Sequence, residues 1–207
     1  MKVILDLHYM PSIEYFIILA HADEVWIEAH EHFQKQSYRN RCFILASNQV
    51  ERLTVPVKYA NKGLPIQVME LDQKVNWAKK HWRAIESAYR RAPFFEFYDR
   101  QIQQVLLKGH TSLFELNKEI LGLLCQLLGV KCRIHYTEGY ENNYAENFVD
   151  LRTKVDAKGE HHITNLQPYI QVFGEQFLPN LSILDLLFCE GPASKGILEK
   201  QYTSLLP

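Results

Sequence analysis

The stretch that decides the fold is Val3-Ile4-Leu5-Asp6-Leu7-His8-Tyr9-Met10-Pro11-Ser12-Ile13-Glu14-Tyr15-Phe16-Ile17-Ile18-Leu19-Ala20-His21-Ala22-Asp23-Glu24-Val25-Trp26-Ile27-Glu28. Val3 to Leu5 is a short apolar run that gives way to polar residues and Pro11, as a buried strand entering a loop does. Pro11 near the start, with Ile13, Phe16, Ile17 and Ala20 at helical spacing, predicts a helix over 12–21. Val25 to Glu28 returns to strand. Strand, helix and strand within thirty residues imply a right-handed crossover and a parallel pair. Ligands of such sheets sit beyond the carboxyl ends of the strands. Both His8-Tyr9 and Glu28-Ala29-His30 fall there, so two separated segments point to one place.

Outward from this unit, Arg41 to Ala46 and Arg52 to Val57 flank a turn at Ser47-Asn48-Gln49 and read as a β-hairpin. Asn61-Lys62-Gly63 is a turn, and Ile66 to Glu70 suits another strand. Trp77 to Tyr89 is helical, with Ala78, Trp82, Ile85 and Tyr89 in one stripe. Pro93 breaks that helix and Phe94 to Leu107 begins the next. A third starts at Thr111-Ser112, where Ser112 and Glu115 have capping-box spacing, and stops at Gly129. Lys131 to Tyr136 and Tyr169 to Phe173 read as strands, and Leu181 to Cys189 as a helix halted by Gly191-Pro192. Thr137 to Asn165 is polar and aperiodic, long for a passive connection, and suits a lid or binding loop. The expected architecture is α/β, a single domain with a partly parallel Rossmann-like sheet, a β-hairpin and a helical C-terminal half. Residues 1–72 form its sheet part, 73–130 a helical part and 131–207 a mixed return segment.

The composition of the 207 residues sets bounds on function. Hydrophobic residues make up 47% and charged residues 23%, so disorder is not expected. A formal charge of -1 argues against a nucleic-acid binder that works by bulk electrostatics. No run of eighteen apolar residues suggests a membrane span, and Asp6, His8 and Glu14 interrupt the only leader-like segment. Cys42, Cys125, Cys132 and Cys189 are scattered in apolar surroundings, as small core residues in a reducing cytoplasm would be.

The richest polar chemistry is Glu28-Ala29-His30-Glu31-His32-Phe33-Gln34-Lys35-Gln36-Ser37-Tyr38-Arg39-Asn40-Arg41. If the strand continues, alternation puts Glu28, His30 and His32 on one face. Such a trio serves acid–base chemistry, with the carboxylate orienting an imidazole, or serves a zinc or iron ion; a solvated edge strand is the bland alternative. A divalent metal is the less favoured of the chemical readings. Lys35, Arg39 and Arg41, with Tyr38 and Asn40 among them, have the chemistry to hold a phosphate or carboxylate. His81 shares a helical face with Ile85 and Ala88, the position of either a second proton carrier or a core-edge histidine. Asn180 and Ser182 are candidates to close the site from the C-terminal half and also potential helix caps. Asp185, in a helix with almost no polar face, must sit at the helix start or be buried with a partner. Pro93-Phe94-Phe95-Glu96-Phe97-Tyr98 suits core packing or the floor of a sugar pocket.

Several stretches follow one another along the chain: Tyr9-Met10-Pro11-Ser12-Ile13-Glu14-Tyr15-Phe16, Gln36-Ser37-Tyr38-Arg39-Asn40-Arg41 and Leu53-Thr54-Val55-Pro56-Val57. After them come His81-Trp82, Ser87-Ala88-Tyr89, Ala92-Pro93-Phe94-Phe95-Glu96, Asp150-Leu151-Arg152, Gln171-Val172-Phe173, and Asn180 to Phe188 with Gly191-Pro192. Jointly they resemble the WbqC-like protein family, a bacterial group often encoded with surface-polysaccharide genes, over about residues 3–192. Many members open on Gln-Pro-x-Tyr-x-Pro, where this chain has Asp6-Leu7 before His8-Tyr9-Met10-Pro11. The opening strand, Pro-containing loop, helix and strand also resemble nucleotidyltransferase-like α/β proteins in architecture, without their phosphate-binding histidine pair. The family resemblance implies a role in lipopolysaccharide O-antigen assembly, with amino-acid transfer as one form of it. The expectation is therefore a cytoplasmic transferase moving an aminoacyl or acyl group onto a sugar or sugar nucleotide. His30 or His81 would be its base and Glu28 the orienting group; His8, Tyr9, Lys35, Tyr38, Arg39, Asn40 and Arg41 would bind substrate, with Asn180, Ser182 and Asp185 from the C-terminal half. A metal-dependent hydrolase or nucleotidyltransferase, and a non-catalytic binding protein, are the rivals.

Overall fold

The computed structural model describes every residue of the chain except Asn48 and Asn61. It is an α/β fold built on a four-stranded parallel sheet and an antiparallel hairpin. The sheet comprises β1 (Lys2–Leu5), β2 (Glu24–Ile27), β5 (Arg133–Tyr136) and β6 (Phe148–Asp150), in the order β5-β2-β1-β6. β1 pairs in parallel with β2 from Lys2↔Glu24 to Leu5↔Ile27, and with β6 from Lys2↔Phe148 to Ile4↔Asp150. Central strands of a parallel sheet are covered on both faces, which is why Val3, Ile4 and Leu5 read as an unbroken apolar run. β2 alternates: Val25 and Ile27 are buried, while Glu24 and Trp26 lie on the opposite, half-open face, Trp26 stacked 4.8 Å from His135.

The crossover helix α1 (Ile13–His21) starts where expected, with Ser12 Oγ accepting from the Tyr15 amide. It packs against α5 (Ile183–Glu190) and α6 (Ser194–Lys200). The starts of α1 and α5 are zipped together. Ile13 N–H donates to the Leu181 carbonyl at 2.9 Å, Ile183 N–H to the Pro11 carbonyl at 2.8 Å, and Ser182 Oγ to the Met10 carbonyl at 3.0 Å. Asn180, at φ +57°, accepts from the Glu14 amide at 2.9 Å, so it caps a helix from the far end of the chain.

The hairpin is β3 (Arg41–Leu45) with β4 (Val50–Thr54), Arg41 opposite Thr54; β4 ends at Thr54 rather than Val57. Its predicted turn, Ser47-Asn48-Gln49, and the one at Asn61-Lys62-Gly63 each include a residue outside the described ones. The helical part follows as α2 (Trp77–Tyr89), α3 (Phe95–Leu107) and α4 (Leu113–Leu128). Ser112 Oγ accepts from the Glu115 amide, and Gly129 closes α4 in the left-handed conformation, φ +66°.

Three expectations are corrected. Ile66 to Glu70 forms a short 3-10 turn over Ile66–Val68 with isolated bridges, since Pro65 fixes the entry and the Met69 amide turns back to the Ile66 carbonyl. Tyr169 to Phe173 is irregular backbone. The polar stretch 137–165 contains the fourth sheet strand, β6, whose three residues are too few to show a period. Among the described residues, no helix is long and apolar enough to cross a membrane.

Gly191 ends α5 at φ +50°, ψ -122°, and a Cβ there would lie 2.4 Å from the Phe94 ring. Gly191→Ala is expected to cost roughly 1–3 kcal/mol through backbone strain and overpacking. A thermal melt should show this as a lowered midpoint; an unchanged midpoint would contradict the packing described.

Candidate functional site

Every strand of the parallel sheet releases a polar side chain at its carboxyl end. β1 leads into Asp6 and His8, β2 into Glu28 and Glu31, β5 into Thr137, and β6 into Arg152 and Thr153. The chain crosses from β1 to β2 on one side and comes back to β6 on the other, so strand order reverses between β1 and β6. Asp6 accepts from the Thr153 amide across that junction at 2.7 Å.

Two clusters form at this edge. In the first, Arg39 is 2% exposed and forks onto Glu31, donating from Nε to Oε1 at 2.8 Å and from Nη2 to Oε2. The same Nη2 lies 2.8 Å from Asp6 Oδ1. His8, also buried, has its ring 4.7 Å from that of Tyr15 and 5.3 Å from that of Tyr38, with Nε2 3.9 Å from Asp6 Oδ2. One guanidinium thus serves two carboxylates in a water-poor site, and a proton is the cheapest way to balance the charge. Burial and the neighbouring Asp6 charge push Glu31 up to about 8 against the pull of Arg39. Burial also works against the Asp6 charge, yet His8, Arg39 and the Thr153 amide outweigh it and hold that carboxyl below its ordinary range. Burial depresses His8, which leaves its imidazole neutral at neutral pH.

In the second cluster, the Glu28 carboxylate is fully buried. Oε1 accepts from the His30 amide at 2.9 Å and from Thr137 Oγ1 at 2.8 Å; Oε2 accepts from Tyr144 Oη and Arg152 Nη1, both at 3.1 Å. Arg152 lies between the rings of Tyr140 and Tyr144, 5.0 and 4.8 Å from their centroids. It also pairs with Asp150 and donates to the carbonyls of Glu141 and Asn142. Residues 138–147 are thereby pinned over the sheet edge.

The residues singled out from sequence divide accordingly. β2 stops at Ile27, so the expected shared face of Glu28, His30 and His32 does not form: Glu28 is buried, His30 half-buried and His32 exposed. Glu28 holds the main chain of His30, not its ring, and that ring makes no hydrogen bond or ion pair with a described residue. Among the described residues no three His, Cys, Asp or Glu side chains gather as metal ligands would. Lys35 is exposed, Arg39 is committed to its carboxylates, and Arg41 opens β3 with a buried Nε that no described residue satisfies. Asn40 bonds reciprocally with the Val55 main chain, and the Tyr38 carbonyl accepts from the Tyr9 amide at 2.8 Å.

Tyr9 Oη meets His81 Nδ1 at 2.8 Å. Burial takes His81 down to about 4, partly offset by the Thr54 main chain, so its ring is neutral as well. Asn180 and Ser182 serve the helix starts described above. Asp185 is buried with Tyr169 and with Gln171 Nε2, the latter at 2.8 Å, and burial raises it despite those bonds. It is thus both in the first turn of its helix and buried with partners, a phenol and an amide. Phe95 packs between Trp82 and Phe188, while Phe97 stays exposed. The sequence reading missed Asp6, Glu31, Thr137, Tyr144 and Arg152 as members of a site. The available signal was a carboxylate one residue after an all-apolar strand, at Asp6.

The model of the WbqC-like protein family matches residues 7–164. The uncharacterized protein Rv1507c of Mycobacterium tuberculosis is 30% identical over 222 residues, covering 94% of this chain and 96% of its own. No solved structure gives a significant match.

The Asp6–Arg39–Glu31 cluster sets a pH dependence. The unfolded chain releases the Glu31 proton near the ordinary 4.5, whereas the folded chain keeps it up to about 8. Between these values the native state binds more protons, so the contribution of Glu31 to stability is fully present below 4.5 and is lost as pH rises through 8. Thermal midpoints measured from pH 5 to 9 should decline in the wild type and decline less in Glu31→Gln, which mimics the protonated acid. Parallel curves for the two proteins would place the extra proton elsewhere.

Proposed function

The chain belongs to the WbqC-like protein family, and we propose that it is a transferase carrying an aminoacyl or acyl group onto a sugar or sugar nucleotide used for surface polysaccharide. What supports this reading is the convergence of Asp6, Glu28, Thr137 and Arg152, each from the end of a different parallel strand, on one polar edge. Ligand chemistry in open parallel sheets is built at that edge.

His30 is the base in this scheme. It follows β2 directly, its backbone is fixed by Glu28, and its half-buried ring is uncommitted among the described residues. The imidazole takes the proton of an attacking amine or hydroxyl as the new bond forms at the acyl carbonyl. The same proton then passes to the leaving group of the donor. Arg41, on the same segment, supplies positive charge for a donor phosphate or carboxylate. Access to the edge requires residues 138–147 to lift, against the grip of Tyr144 and Arg152 on Glu28.

His30→Ala is expected to reduce transfer by about 10²–10⁴-fold, with the thermal midpoint close to wild type. Mass spectrometry of sugar-nucleotide acceptors incubated with acyl and aminoacyl donors reads the rate. Glu28→Gln should instead lower the midpoint, because it leaves half-buried Arg152 with a weaker partner. Undiminished transfer by His30→Ala would remove the base assigned here.

A further inference from the structure

Several cavities lie on another part of the molecule, around Phe173. One, of about 410 Å³, is walled by Pro93, Val172, Phe173 and Cys189, with Arg91 and Glu190 also lining it. A second, of about 210 Å³, is more polar and is lined by Ser47, Ser87, Arg90 and Glu51. Arg91 and Phe173 belong to both, so the two are lobes of one cleft. We propose that this cleft binds a nucleoside diphosphate, with the diphosphate on Arg90 and Arg91 and the base against Phe173.

Three observations carry the assignment. First, the cleft is built, not a gap between loops. Its wall at 169–173 is moored to buried Asp185 through Tyr169 and Gln171, and Gln171 also exchanges two hydrogen bonds with the Leu178 main chain, each 2.9 Å. Second, neither arginine side chain makes a hydrogen bond or ion pair with a described residue, so both guanidinium groups lining the cleft have their donors available to a ligand. Both sit at the C-terminal end of α2, where positive charge complements the helix dipole. That role alone asks for no aromatic wall and no enclosed volume. Third, the two lobes differ in the way a nucleotide's ends differ.

An apolar lobe with an aromatic face takes a base, a lobe with two guanidinium groups and two serines takes phosphate oxygens, and a carboxylate such as Glu190 or Glu51 can accept from ribose hydroxyls. A cleft lined by both glutamate and arginine would also attract a free amino acid. Size decides between them, because the combined cleft falls in the range of drug-sized and cofactor-sized sites and far exceeds what a small zwitterion fills.

Titration calorimetry on the purified chain tests this with uridine, adenosine, guanosine and cytidine diphosphates, and with uridine and inorganic pyrophosphate as fragments. At least one diphosphate should bind saturably, and each fragment at least tenfold more weakly. Arg91→Ala should weaken it tenfold or more with an unchanged thermal midpoint, since Arg91 is exposed. Phe173→Ala should remove most of the advantage of the diphosphate over pyrophosphate. Absence of binding by all four diphosphates at millimolar concentration overturns the assignment. So does binding indifferent to Arg91→Ala, or saturable binding of glycine or leucine in their place. The readout is binding alone, so it stands or falls separately from transfer at His30.

Discussion

One buried guanidinium organises the sheet edge. Arg39 reaches in from a loop to join Asp6 after β1 with Glu31 after β2, and Asp6 in turn holds the Thr153 amide after β6. A buried ion cluster is seldom a net source of stability, because each charge loses its hydration. Its effect here is positional. With Arg39 seated, the Tyr38 carbonyl accepts the Tyr9 amide and the Arg39 carbonyl accepts Asn117 Nδ2 from α4. The next residue, Asn40, then locks onto Val55 and sets the register of the hairpin. Sheet, hairpin and helical part are thus aligned through three consecutive residues, Tyr38, Arg39 and Asn40.

The same edge contrasts two ways of using arginine. Arg39 is sealed in and balanced by two acids, which forces a retained proton onto Glu31. Arg152 is a clamp: its guanidinium is sandwiched by Tyr140 and Tyr144 and divides its donors among Glu28, Asp150 and two main-chain carbonyls. The first arrangement fixes what lies beneath the edge, the second what lies over it. Between them Glu28 has all its acceptor positions in use, so it acts on His30 by holding the backbone from which the imidazole projects.

Periodicity and punctuation explain which parts of this were legible in sequence. Val3 to Leu5, the helix from Ile13 and the strand at Val25 were readable because burial is dictated locally by runs and spacings. Ser112 and Gly129 were readable because a cap is a short-range hydrogen bond. β6 was not: Phe148 to Asp150 is a strand only because β1 lies alongside it. The grouping of Glu28, His30 and His32 failed for a related reason. Alternation holds only as long as a partner strand does, and beyond Ile27 the backbone bends to bring the His30 amide onto Glu28. Asp6, Glu31 and Arg39 are up to thirty-three positions apart, and no spacing rule connects residues that meet only after the sheet has formed.

Helix α5 relates the sheet edge to the cleft around Phe173. Its start is zipped to residues 10–13, just past the end of β1, by the paired main-chain bonds at Pro11, Ile13, Leu181 and Ile183. Its one carboxylate in the first turn, Asp185, moors the wall of the cleft, and its last turn contributes Cys189 and Glu190 to the lining. Every residue from Ile183 to Cys189 is buried, so the helix has no solvated side along which to slide. Displacing it would expose an apolar surface and strand the Asp185 carboxyl, both costly. A helix with almost no polar face is therefore suited to act as a rigid spacer: it keeps the two polar regions at a constant separation.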